Sequence, residues 1–85
     1  MNYYIAVFSS ITLANKLKKH FQYDGSFMAL MHAPTSIPMN GCAYCLRFRE
    51  EKLNDVVEAA KRFEIPIKAI YREMPNHAYQ EYRIS

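Results

Sequence analysis

Residues 40–48 read Asn40-Gly41-Cys42-Ala43-Tyr44-Cys45-Leu46-Arg47-Phe48, and their conformation decides the fold. They follow a loop punctuated by Pro34 and Pro38, and from Cys42 onward form a short apolar run bounded by a turn residue. Such a run reads as a strand. Side chains alternate along a strand, so Cys42, Tyr44, Leu46 and Phe48 point one way and Ala43, Cys45 and Arg47 the other. The bulky set is expected to face the helices. Ala43, Cys45 and Arg47 are then left on the open face of a sheet.

Working outward, Tyr3 to Phe8 is a β-branched and aromatic run that reads as a buried strand. Ser9 or Ser10 can cap the next segment. There Leu13, Ala14, Leu17 and Phe21 recur at helical spacing opposite Asn15, Lys16, Lys18 and Lys19. Asp24-Gly25 supplies a stop. Phe27 to Met31 reads as a second strand and Cys42 to Phe48 as the third. Glu50 and Glu51 place negative charge at the start of a second helix, where its dipole favours it. That helix carries Leu53, Val56, Val57, Ala60 and Phe63 on one face, and Ile67 to Tyr71 reads as a fourth strand.

The order is βαββαβ, with helices expected near residues 10–23 and 51–64. The expected class is α+β, a ferredoxin-like sandwich in which two helices cover one face of a four-stranded antiparallel sheet. Residues 1–74 hold this domain. Residues 75–85 form a C-terminal extension that can pack as a short helix, add a strand or trail. An open face of small and apolar residues wants a cover. The extension, through Tyr79 and Tyr82, or a second copy of the chain are the candidates, so a homo-oligomer through this face is expected.

Composition narrows the function classes. Eighty-five residues, 51% of them hydrophobic, make one small globular domain. The net charge of +3 is spread along the chain, so it permits an acidic partner without requiring one. No apolar stretch reaches transmembrane length, and Met1-Asn2-Tyr3-Tyr4 lacks the basic start of a signal peptide. Two cysteines are too few for a secreted disulfide framework. The cytoplasm, where thiols stay reduced, is the expected compartment.

On a regular strand the two sulfurs lie on opposite faces and cannot bridge. A redox C-x-x-C pair instead sits at a helix N-terminus. A structural zinc needs four ligands, and His20, His32 and His77 show no ligand spacing with the cysteines, so no metal and no cofactor is expected. Cys42 stands at the loop–strand junction beside Gly41, where loop amides, His32 or Arg47 could lower a thiol pKa. A thiol at about 8.5 is roughly 3% thiolate at pH 7, and a fall to about 6.5 makes it about 75%. The plain alternative, open for both cysteines, is a small buried hydrophobe.

These segments resemble the small domain family of Se/S carrier protein-like chains, formerly a domain of unknown function. The resemblance runs from residue 3 to about 73. It rests on the opening strand with "FSS", a second strand ending in "HAP", the segment "CAYCLRF" and the closing "IPIKAIY". Family members carry a cysteine six residues before the phenylalanine of an Arg-Phe pair, which here is Cys42, counted back from Arg47-Phe48. Ala43 departs from the family's usual glycine, Cys45 from a small apolar residue, and Pro38 to Gly41 from small hydroxyl residues. The resemblance implies a protein that takes sulfur or selenium onto Cys42 and passes it on between donor and acceptor proteins. It does not imply an enzyme acting alone.

Two rival classes stay in view. One is an interaction or regulatory module whose cysteines are structural. The other is an RRM, whose chain order is also βαββαβ. Gly41, Ala43 and Tyr44 fit the RNP1 pattern, but Asn40 replaces its basic residue and Cys42 its first stacking aromatic. Nucleic-acid binding therefore ranks last. No paired carboxylates, phosphate loop or Ser/His/Asp set is present in the sequence pattern.

Overall fold

The computed structural model describes residues 2–8, 10–22, 28–32, 44–76 and 78–82. Its elements are β1 (Tyr3–Phe8), α1 (Ile11–Gln22), β2 (Met28–His32), β3 (Tyr44–Arg49), a 3-10 turn (Glu50–Lys52), α2 (Leu53–Arg62), β4 (Ala69–Glu73) and β5 (Tyr79–Tyr82). The strands form one antiparallel sheet in the order β2-β3-β1-β4-β5. The expected four strands are thus one too few. Residues 79–82 of the C-terminal extension pair with β4, Tyr79 opposite Glu73 and Tyr82 opposite Ile70, and continue the sheet. The hairpin is closed by the Met74 N–H donating to the Ala78 carbonyl at 2.8 Å, and Asn76 Oδ1 accepts from the Ala78 N–H at 3.2 Å. An Asx side chain bonding two residues on is a common turn device.

The strand parity read from residues 44–48 holds. Leu46 and Phe48 join Ala6, Phe8, Met28 and Ile70 in a core with the helices, whereas Cys45 lies in a second cluster on the opposite side of the sheet. β1 is central, with β3 on one flank and β4 on the other. Its residues Ile5, Ala6, Val7 and Phe8 are fully buried, because both of its faces are packed.

Ala14, Leu17 and Phe21 bury one stripe of α1. The Leu13 N–H donates to Ser10 Oγ at 3.4 Å and the Ala14 N–H to the Ser10 carbonyl at 3.1 Å, so Ser10 caps α1. Val56, Ala59 and Ala60 do the packing for α2. That helix ends in a Schellman turn: Ile65 N–H donates to Ala60 C=O at 2.8 Å and Glu64 N–H to Lys61 C=O at 3.3 Å. Glu64 takes φ 57°, where glycine is usual. Ile65 is thereby buried under the helix end.

Element ends shift from the sequence expectation. β4 runs Ala69–Glu73 rather than 67–71, because Ile65 is spent closing α2 and the ladder to β1 begins only when the Lys68 N–H meets the Val7 carbonyl at 2.8 Å. The second helix is preceded by the 3-10 turn, whose Glu50 N–H donates to the Asn2 carbonyl at 3.0 Å. Ser9, the stop at Asp24-Gly25, Phe27, and Cys42 with Ala43 lie outside the described residues.

Candidate functional site

The cysteine-bearing strand is held between β1 and β2, with Cys45 opposite Val7 on one side and Met31 on the other. On the side away from the helices, Cys45 packs with Ile5, Val7 and Tyr71, and Met31, Ala69 and Tyr79 close in around them. Its exposure is 0%. The Sγ–H points at the His32 carbonyl, 3.8 Å away. Burial penalises the thiolate and pushes the Cys45 thiol up to about 11. With its sulfur buried among these apolar neighbours and its thiolate disfavoured, Cys45 is a packing group in this conformation.

Arg47 shares that face two residues on. Its Nε donates to Glu73 Oε2 at 2.9 Å and its Nη2 to Glu73 Oε1 at 3.1 Å, a bidentate pair. The guanidinium also lies over the Tyr3 ring, 3.8 Å from its centroid. The hydrogen bonds to Glu73 hold the arginine above its ordinary range. Arg47 therefore spends its charge on Glu73 and Tyr3. At Cys45 burial, not Arg47, governs the thiol and raises it. Tyr79 borders the same cluster; burial first, then the Glu73 carboxylate, raises its phenol.

Glu73 and Tyr3 were not singled out by sequence, whereas Tyr79 was, as a cover for this face, and it packs there. The signal for Glu73 was parity: with Ala69 and Tyr71 on the face of Cys45, Glu73 follows at the next alternate position. Ending β4 at Tyr71 hid it.

Cys42, the other sequence candidate, lies outside the described residues, two positions before Tyr44 in the chain. Of the sequence's candidate neighbours, His32 is described. It ends β2 opposite Tyr44, and the two rings lie 4.9 Å apart. His20 is exposed at the end of α1, with its ring edge-on to Phe21 and Phe63. His77 is outside the described residues. Among the described residues no three His, Cys, Asp or Glu side chains gather as a metal site would require. A hollow of about 470 Å³ lies at the α2–β4 junction, lined chiefly by Val57, Ala60, Ile65, Pro66 and Ile67. It is on the helix side of the sheet, away from Cys45.

The family model described as "Putative Se/S carrier protein-like" matches residues 3–72, from the first residue of β1 into β4. The chain belongs to this family. Cys42, Cys45 and Arg47 all fall inside the stretch shared with the Se/S carrier-like family, and β5 falls beyond it. Comparison with curated proteins and with solved structures gave no match. No helix among the described residues is long and apolar enough to cross a membrane.

Proposed function

We propose that this chain carries a sulfur or selenium atom on Cys42 and hands it to a partner protein. The observation that carries the proposal is the burial of Cys45. It leaves Cys42 as the remaining thiol in a chain whose family is described by chalcogen carriage. In the loading step the Cys42 thiolate attacks the outer sulfur of a donor persulfide. A new S–S bond forms as the donor's S–S bond breaks, and the donor leaves as a thiolate. No net oxidation occurs, so no cofactor is called for. Delivery repeats the exchange with an acceptor thiolate.

Cys45 and Arg47 act indirectly in this scheme, as positioning residues. Cys45 packs the strand that leads from Cys42, and Arg47 ties β3 across β1 to β4 through Glu73. Turnover belongs to the donor and acceptor proteins, not to this chain alone. The cytoplasm is the compartment such chemistry needs, since thiols stay reduced there. Self-association belongs to the proposal as well. We describe the architecture as ferredoxin-like on the strength of its βαββαβ core, its central β1 and β3, and both helices on one face.

The second reading, an interaction module with structural cysteines, is favoured by the packing of Cys45 as an ordinary hydrophobe. Nucleic-acid binding draws little support from a sheet face whose centre is buried Ile5, Val7 and Cys45. Intact-mass spectrometry after incubation with a cysteine desulfurase and cysteine separates the readings. Gain of one or two sulfur atoms by the wild type and by Cys45→Ser, with none on Cys42→Ser, is the expected result. Absence of any gain favours the interaction module.

A further inference from the structure

We infer that the outer edge of β2 is a strand-addition surface for a second copy of this chain. Among the described residues the sheet order leaves two edges, β2 and β5. An edge presents a row of unpaired backbone N–H and C=O groups, and native proteins blunt such edges with charge, proline or bulges. The β5 edge is blunted. It is four residues long, and Glu81 is exposed along it between the exposed Gln80 and Tyr82.

The β2 edge has none of these devices. Met28-Ala29-Leu30-Met31-His32 contains no charged residue other than a terminal histidine, and no proline. It pairs residue for residue with β3, from Met28 opposite Phe48 to His32 opposite Tyr44, so no bulge twists it away. Ala29, Leu30 and Met31 are only partly buried, and among the described residues no strand lies outside them.

The occupant follows from self-complementarity. A two-fold contact places the same patch on both partners, so the patch must suit itself. Antiparallel pairing of β2 with its own copy about Leu30 sets Leu30 against Leu30, Ala29 against Met31 and Met28 against His32. No like carboxylates or ammoniums meet, and the apolar rows of both sheet faces run on into the partner. Pairing about Glu81 of β5 would instead set carboxylate against carboxylate, which costs stability. The product is one continuous ten-stranded sheet with the β5 strands at its ends. Homo-oligomerisation was expected through the open face. That face is already filled at its centre by Ile5, Val7 and Cys45, whereas among the described residues no strand pairs with the outer side of β2.

Charge-swap complementation on the full chain tests this. Sedimentation equilibrium of the wild type is expected to show a dimer. Leu30→Lys and Leu30→Glu are each expected to sediment as monomers, since each puts like charges across the two-fold axis, and their equimolar mixture is expected to recover the dimer. Glu81→Lys is expected to leave the dimer unchanged. A wild type that stays monomeric at millimolar concentration overturns the inference, as does a dimer that survives Leu30→Lys or is lost in Glu81→Lys. Should both Leu30 variants fail to fold, amide hydrogen exchange on the wild type decides. Slowing of the β2 amides with rising protein concentration supports the edge contact, and concentration-independent exchange overturns it.

Discussion

Burial turns Cys45 into a thiol that proton linkage can detect. Its folded-state value of about 11 lies above the ordinary 9.0, so the folded chain holds the proton where the unfolded chain has released it. The contribution is fully present below about pH 9 and is lost as pH rises through about 11. Denaturant midpoints measured across that window should therefore fall with pH less steeply in Cys45→Ala than in wild type; equal slopes would contradict the burial. At Arg47 the fork geometry matters as much as the charge. Arg47→Lys keeps the charge, loses the bidentate pair and the stacking on Tyr3, and is expected to cost about 1 kcal/mol in chemical denaturation. No loss would mean that solvent screens the pair completely. The side of the sheet that each residue takes was legible in the sequence, because alternation from Tyr44 to Phe48 needs only a period of two. The partner of Arg47 was not. Alternation says which face a side chain occupies, and says nothing of which neighbour reaches across β1 to meet it.

At the scale of the elements, helices were the most legible. Ala14, Leu17 and Phe21, and Val56 with Ala60, show the 3.6-residue stripe without help from tertiary context. Their ends were less so. The end of α2 is made by a residue with the wrong intrinsic preference: Glu64 sits at φ 57°, where an L-residue pays about 1–2 kcal/mol. Nothing in the sequence marks this as a Schellman turn, since the expected glycine is missing. Glu64→Gly should raise stability by about 0.5–1 kcal/mol, the relief of strain being partly offset by the entropy of glycine in the unfolded chain. A destabilised Glu64→Gly would show that the Glu64 side chain, not the turn, holds this end. The same turn explains the misplaced start of β4. Ile65 and Ile67 look like strand residues, but Ile65 closes the helix and joins the helix-side core.

For the whole molecule, the sequence left the extension open between a short helix, an added strand and a trailing tail, and the structure makes it a fifth strand. Tyr79–Tyr82 is short and polar at Gln80 and Glu81, so it becomes a strand only because the free edge of β4 is there to pair with. It also brings Tyr79 against the Cys45 cluster and Tyr82 edge-on to Tyr4, with ring centroids 5.6 Å apart. A chain ending at Met74 should melt at lower temperature than the full chain, since it loses both contacts and leaves β4 as an edge. An unchanged melting temperature would reduce β5 to an ornament of the sheet. The same cluster buries Cys45 in the sheet, and the proposed function assigns transfer to Cys42. Alkylation rates of the two single Cys→Ser variants, followed under native conditions over roughly pH 5 to 9, test this division most directly. Cys45→Ser is expected to react with the rate set by Cys42, and Cys42→Ser to stay unmodified until denaturant exposes Cys45. Fast native alkylation of Cys42→Ser, lost in Cys45→Ser, would contradict it.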